Sequence, residues 1–188
     1  MNGISLNGPV KRIFACVPIA FALASGVHTR EGDTLQRVDL SWEAQSRSAC
    51  ESDNFESFFE AFVRSPQVRK ERTAKSVEHR SLVDPSELLG QIAGIHYQEI
   101  FAISLGDYYY VDTVSKHKWE SGTLNSYEDL WVDVEPTQDR SYEVQYSKAI
   151  LRDDGEGDGK TFVRRYGTKK GYVFEMRQGC WELTQDLR

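Results

Sequence analysis

Asp153-Asp154-Gly155-Glu156-Gly157-Asp158-Gly159 is the densest set of potential ligands in the chain. Carboxylates at 154, 156 and 158 alternate as the oxygens of a calcium loop do, converging on a hard cation. An EF-hand needs glutamate at its twelfth position. Counted from Asp154 that position is Arg165, so a true EF-hand is excluded. Asp154, Glu156 and Asp158 remain a looser candidate calcium site, beside the plainer reading of a solvated hairpin tip whose charge repels other sheet edges. No other cofactor is expected. The histidines at 28, 79, 96 and 117 stand apart, without the H-E-x-x-H or paired-cysteine spacing of zinc sites. There is no G-x-S-x-G turn and no glycine-rich phosphate loop, so no catalytic residue is assigned.

A different pattern occupies the middle of the chain, where Trp119, Tyr127, Asp129, Trp131, Asp133 and Glu135 follow one another closely. Aromatic anchors ringed by carboxylates suit recognition of a basic protein partner, through hot spots and electrostatic steering. The plainer reading is that Tyr127 and Trp131 pin a short helix to a sheet. Tyr108-Tyr109-Tyr110 are consecutive, so strand alternation sends at least one to an outer face.

The chain that must position these groups has 188 residues, 29 acidic and 23 basic, a net charge of −6. Its length fits one domain with a short appendage. Its acidity argues against a nucleic-acid binder, which needs a basic face to displace counterions.

The first residues read as an export signal. Lys11 and Arg12 precede the apolar run Ile13-Phe14-Ala15-Cys16-Val17-Pro18-Ile19-Ala20-Phe21, and Ala22-Leu23-Ala24-Ser25-Gly26 supplies a small-x-small cleavage site. Pro18 and the basic lead disfavour a buried core helix, and the run falls short of the roughly 20 residues of a membrane span. Ile13-Phe14-Ala15-Cys16 faintly resembles a lipoprotein box, but its cysteine sits inside the apolar run. The expected division is a signal peptide over 1–24, a flexible leader over 25–49 and a domain over 50–188. Cleavage removes Lys11, Arg12 and Cys16 but no acid, so the exported chain is two charges more negative. It keeps Cys50 and Cys180, which in an oxidising compartment most simply form one disulfide; the alternative is two buried free thiols. A periplasmic or secreted protein follows, with no membrane span after cleavage.

Asp53 is the expected cap of a helix whose Phe55, Phe58, Phe59 and Phe62 fall at i, i+3, i+4 and i+7 on one core-facing stripe. Ser65-Pro66 ends or restarts it. Ser76 to Val83 reads as a strand. Asp84-Pro85-Ser86-Glu87 opens a predicted helix with Leu88, Leu89 and Ile92 on its apolar side and Gly94 at its end. Ile95 to Leu105 and Tyr108 to Ser115 read as a hairpin turning at Gly106-Asp107. Tyr127, Leu130, Trp131 and Val134 have helical spacing, closed by Pro136. Tyr142 to Leu151, Thr161 to Tyr166, Tyr172 to Gln178 and Trp181 to Gln185 predict four strands of an antiparallel meander, their connections being too short for crossovers. Helices first and a meander after make the fold α+β.

Two stretches carry a resemblance. Tyr172-Val173-Phe174-Glu175-Met176-Arg177-Gln178-Gly179-Cys180-Trp181-Glu182-Leu183 resembles the closing hairpin of small exported bacterial NTF2-like domains. The Phe55-x-x-Phe58-Phe59-x-x-Phe62 helix with Ser65-Pro66-x-Val68-Arg69 is similar to the start of such domains. The resemblance spans about 53–187 and implies N-terminal helices packed on a curved antiparallel sheet, the NTF2-like or cystatin-like cone. It implies a fold and an exported habit, not a reaction. Within such a cone His96 with Tyr97 or Glu99 is the candidate acid–base pair. The expectation for function is an exported, non-enzymatic protein-binding domain, an immunity protein or inhibitor that neutralises a secreted toxin or hydrolase. The alternative is a pocket protein that binds or converts a small molecule, with His96 and Tyr110 converging on its cavity.

Overall fold

The structure is a computed structural model that describes residues 4–5, 31–106, 109–153 and 160–188. Apart from Ile4–Ser5, the expected signal peptide lies outside the described residues, as do Asp154, Glu156 and Asp158.

Three helices lead into the sheet: α1 (Glu31–Glu51), α2 (Phe55–Arg64) and α3 (Pro66–Glu71). Helix α1 replaces most of the expected flexible leader. Its later turns place Trp42, Ser46, Ala49 and Cys50 at i, i+4, i+7 and i+8, and the last three are buried. Small side chains allow that close packing but leave no apolar stripe to read in the sequence. The cap of α2 is Asn54, one residue beyond the expected Asp53; its side chain accepts the Ser57 N–H at 3.1 Å. Asp53 turns with φ +56° and pairs instead with Arg140 at 2.7 Å. Ser65 caps α3 by accepting the Val68 N–H at 3.2 Å, with Pro66 in the first turn. Arg69 then donates to the carbonyls of Phe62 and Val63 at the end of α2.

Among the described residues the sheet has seven strands, in the order β1-β6-β7-β8-β9-β2-β3, and it is not closed into a barrel. β6 (Leu130–Pro136), β7 (Tyr142–Asp153), β8 (Lys160–Arg177) and β9 (Cys180–Leu187) form an antiparallel meander, of which β7, β8 and β9 cover the predicted strands and β6 is an addition. β2 (Thr73–Arg80) lies parallel to β9 and pairs antiparallel with β3 (Leu88–Ala93). β1 (Ile4–Ser5) pairs with β6 through Ile4–Val134 and Ser5–Asp133. The architecture is α+β, with a mixed, mostly antiparallel sheet packed against helices.

The phenylalanine stripe of α2 is the centre of the core, each ring 3% exposed or less. Phe55 stacks on Tyr142 at 4.1 Å, Phe58 meets Trp181 at 5.3 Å and Phe62 meets Phe174 edge-on at 5.0 Å. Each such ring contributes about 1.5–3 kcal/mol by burial. The disulfide Cys50–Cys180 fastens α1 to the start of β9 across 130 residues. Closing so long a loop removes on the order of 4–5 kcal/mol of unfolded-state entropy in the chain-entropy account.

Several expected elements change type. Leu88–Ala93 is a strand, because Asp84-Pro85-Ser86-Glu87 builds a hairpin turn: Asp84 accepts the Ser86 N–H at 3.1 Å and Ser81 N–H bonds to Glu87 carbonyl at 3.1 Å. Residues 130–136 are strand, with Leu130, Val132 and Val134 buried in alternation; β-branched valines favour the period of two over the helical one. Ile95 to Leu105 is mostly not strand. Gly94–His96 is a short 3₁₀ turn, α4 (Tyr97–Ile100) follows, and only β4 (Ile103–Leu105) pairs, with β5 (Tyr110–Asp112). A Cβ on Gly94 would run into the Ala74 carbonyl oxygen, which is why glycine stands there. α5 (Thr113–Glu120) is capped by Asp112, which accepts the Ser115 N–H at 2.7 Å. The two strands expected at 161–166 and 172–178 are one strand, β8, interrupted by a bulge. Lys170 faces Tyr146 and Tyr166 faces Lys148, so 167–169 stand opposite Ser147 alone, with Gly167 at φ +73°.

Candidate functional site

Strand register sets the inner face of the sheet in rows. Val134, Val144 and Tyr172 share one row, Val132, Tyr146 and Lys170 the next, and Leu130, Lys148 and Tyr166 the third. The phenylalanine stripe fills the space between α2 and the β8–β9 end of the sheet. Towards the third row the face opens into a cleft of about 380 Å³. Leu130, Tyr146, Lys148, Tyr166 and Lys170 line it from the sheet, Ala102 and Asp112 from the β4–β5 side, and the bulge adds Gly167 and Thr168.

Its charges are partly committed. Lys148 pairs with Glu128 at 2.6 Å, and that hydrogen bond raises the lysine pKa. The Asp112 carboxylate caps α5. Lys170, half-buried at the wall, brings the remaining positive charge.

Below the cleft runs a buried polar chain. Arg188 donates to the Tyr146 hydroxyl at 3.4 Å and to the Asp186 carboxylate at 2.6 Å. Tyr146 donates to Tyr172 at 3.4 Å, and the Tyr172 oxygen accepts the Ala102 N–H at 3.0 Å. Tyr97 donates to the same oxygen of Asp186, and the His79 Nε2 lies 3.0 Å from the Tyr97 hydroxyl. Asp186 is fully buried, and its other oxygen has no hydrogen-bond partner among the described residues. Burial pushes the Tyr97, Tyr146 and Tyr172 phenols up, so all three remain protonated at neutral pH. Burial opposes the Arg188 charge, but the Tyr146 and Asp186 oxygens outweigh it and raise its pKa.

Beyond the cleft, β7 and β8 continue as a two-stranded ribbon, more exposed along β8 than along β7, where Ala149 stays buried. Residues 161–169 are all exposed, among them Phe162, Val163 and Tyr166, and Ile150 is exposed on the β7 side. Segments 147–152 and 161–170 contain Lys148, Arg152, Arg164, Arg165, Lys169 and Lys170 and no carboxylate, in a chain of net charge −6. The ribbon joins the outer face of β6. Arg165 lies over the Trp131 ring at 4.7 Å and pairs with Asp133 at 2.9 Å, while Phe162 meets Trp131 edge-on at 4.3 Å.

The residues expected to bind a partner therefore fall in two groups. Trp131, Asp133 and Glu135 line the outer side of β6 by alternation. Trp119, at the end of α5, meets Tyr127 edge-on at 5.3 Å, and the Tyr127 hydroxyl lies beside Gly106. Asp129 stands between the groups, its backbone bridging Val111 and accepting the Ala149 N–H at 2.9 Å. The carboxylate of Asp133 is engaged by both Arg165 and the Trp131 indole N–H at 2.8 Å. His96 is exposed on the 3₁₀ turn, and Tyr110 is buried against Phe59; neither lines the cleft. Tyr97 takes His79 and Asp186 as partners.

Sequence reading missed Lys148, Lys170 and the ribbon, although basic and aromatic residues interleave over Phe162-Val163-Arg164-Arg165-Tyr166. Asp186 carried no signal, because its partners come from α4, β2 and Arg188. Among the described residues no group of three His, Cys, Asp or Glu is placed to hold a metal, and no helix is long and apolar enough to cross a membrane. No family model matches the chain, and no curated protein matches it.

Proposed function

We propose that this chain is an exported, non-enzymatic protein-binding domain, and more specifically an immunity protein or inhibitor that neutralises a secreted toxin or hydrolase. The observation that carries the binding reading is the ribbon. Ile150, Phe162, Val163 and Tyr166 are all exposed on this strand pair, Phe162 beside Trp131 and Arg165 on the outer side and Tyr166 at the mouth of the cleft on the inner one. Aromatic and arginine side chains on a preformed scaffold are the usual makings of a binding hot spot. The signal-like N-terminus and the Cys50–Cys180 disulfide support an oxidising compartment outside the cytoplasm. The order of helices and meander supports the NTF2-like resemblance.

The test uses the full chain, tagged and purified from the exported fraction of cells that also express a toxin-like protein encoded beside it. Retention of that protein, and its loss on Phe162→Ala with Tyr166→Ala, is the expected outcome. A toxin still active and unbound in the presence of the chain removes the inhibitor role.

A second reading, a pocket protein for a small molecule, is favoured by one observation, the cleft of about 380 Å³ with Tyr146 and Lys170 converging on it.

A further inference from the structure

Resting on the protein-binding reading, we infer that the partner contributes an acidic segment bearing an aromatic or aliphatic side chain, and that this segment seats in the cleft at the base of the ribbon. Charge placement carries the inference. The whole chain is acidic, yet segments 147–152 and 161–170, short of the acidic run that begins at Asp153, hold Arg152, Arg164, Lys169 and Lys170 besides Lys148 and Arg165, which pair with Glu128 and Asp133. An acidic molecule that concentrates positive charge in one place repels basic surfaces elsewhere and steers an acidic one to that place. The acid-rich stretch 119–135, which suggested a basic partner, offers less than its sequence implies. Asp133 is already paired with Arg165, and Glu128 with Lys148.

The cleft supplies the other half of the recognition. Leu130, Ala102 and the Tyr146 and Tyr166 rings make an apolar floor and wall, large enough for one bulky side chain. Lys170 stands at the wall, with Arg164 and Lys169 exposed on the adjoining ribbon. A carboxylate next to the inserted side chain meets those cations. Asp112 is the one carboxylate among the described lining residues, and its cap bond to the Ser115 N–H holds it to α5.

The probe is a capped peptide with one tryptophan flanked by two glutamates on each side, titrated into the disulfide-intact chain and followed by backbone amide shifts. The expected shifts centre on Ala102, Leu130 and Tyr166 to Lys170. Changing the glutamates to glutamines weakens binding by about tenfold or more, as does the double variant Arg164→Glu, Lys170→Glu. Raising the ionic strength from about 0.05 to about 0.3 M weakens it further, because the charges are exposed. Arg164 is exposed and Lys170 half-buried at the cleft wall, and an unchanged melting temperature shows the fold intact. Equal binding of the glutamine peptide, shifts centred elsewhere, or preference for a single-stranded oligonucleotide over the peptide overturns the inference. A toxin that is captured and then lost on Phe162→Ala with Tyr166→Ala, but retained by the charge-reversed variant, leaves the protein-binding reading standing and the acidic segment refuted.

Discussion

The hydroxyl of Tyr97, on α4, donates to the buried carboxylate of Asp186, on β9, across 89 residues of sequence. The same carboxylate oxygen takes a bond from Arg188 at 2.6 Å, so one side chain fastens the short helix that follows β3 to the centre of the sheet. Buried charge of this kind holds only while its partners remain, since a stranded ion in the interior is costly.

Asp186→Ala therefore removes about 3–5 kcal/mol of stability, by leaving Arg188 without its carboxylate partner and with only the long bond to Tyr146, and Tyr97 with only His79. Asp186→Asn keeps the shape and part of the bonding and costs about 1–3 kcal/mol, as does Tyr97→Phe. Urea unfolding of the three variants measures this. A loss under about 0.5 kcal/mol for Asp186→Asn, the scale of a neutral surface change, shows the network to be energetically idle.

Alkaline titration reads the same region. Burial pushes the phenols of Tyr97, Tyr110 and Tyr172 well above the ordinary tyrosine value of 10.0. A group whose folded pKa is raised binds its proton more tightly in the native state. Its contribution is complete below the unfolded value and is lost as pH rises above it. Stability is expected to hold through neutral pH and to fall above about pH 10, with tyrosinate absorbance from these residues appearing together with unfolding. Smooth ionisation of all nine tyrosines near pH 10, with the fold intact, contradicts the burial described.

Reducing the Cys50–Cys180 bond, or replacing both cysteines with serine, is expected to cost about 2–5 kcal/mol and to lower the melting temperature. Calorimetry with and without reductant checks it. Identical melting curves mean that the bond does not form in the protein.

Two phenylalanines separate packing from recognition. Phe58→Ala opens a cavity among Phe55, Phe62, Phe174 and Trp181 and is expected to cost about 3–5 kcal/mol. Phe162, 39% exposed on the ribbon, is expected to tolerate alanine within about 0.5 kcal/mol. Denaturant midpoints of the two variants give the comparison. A large loss at Phe162 shows that the ribbon belongs to the core and not to a binding surface.

Gly94→Ala forces a Cβ towards the Ala74 carbonyl oxygen, a backbone atom that yields only if β2 or the 3₁₀ turn shifts. The expected cost is about 1–3 kcal/mol or more, seen as a lower melting temperature.

The parts of the fold legible in the sequence are those decided by local chemistry. Phenylalanines at helical spacing, Ser65-Pro66 and the Gln178-Gly179 turn each specify their element within a few residues. The rest is decided by distant neighbours. Ser46 and Ala49 make α1 a packed helix only because α2 lies against it. Residues 127–134 satisfy both a helical and a strand period, and pairing with β7 chooses the strand. Gly167 and Lys170 look like a loop until Ser147 is placed opposite the bulge. The candidate site suffered most: the cleft is assembled from Ala102, Asp112, Leu130, Tyr146 and Tyr166, which no single stretch of chain brings together.

The parallel seam between β2 and β9 has a consequence for the order of events during synthesis. Until β9 emerges, β2 has β3 as its only neighbour in the sheet, and the α2 phenylalanines lack the Trp181 ring they pack against. The nascent chain thus remains short of its native topology until β9 has been made. Contacts of such long sequence separation slow folding to the millisecond-to-second range. That delay places the pairing of Cys50 with Cys180, a two-electron oxidation that needs an external disulfide or other oxidant, among the last steps of folding.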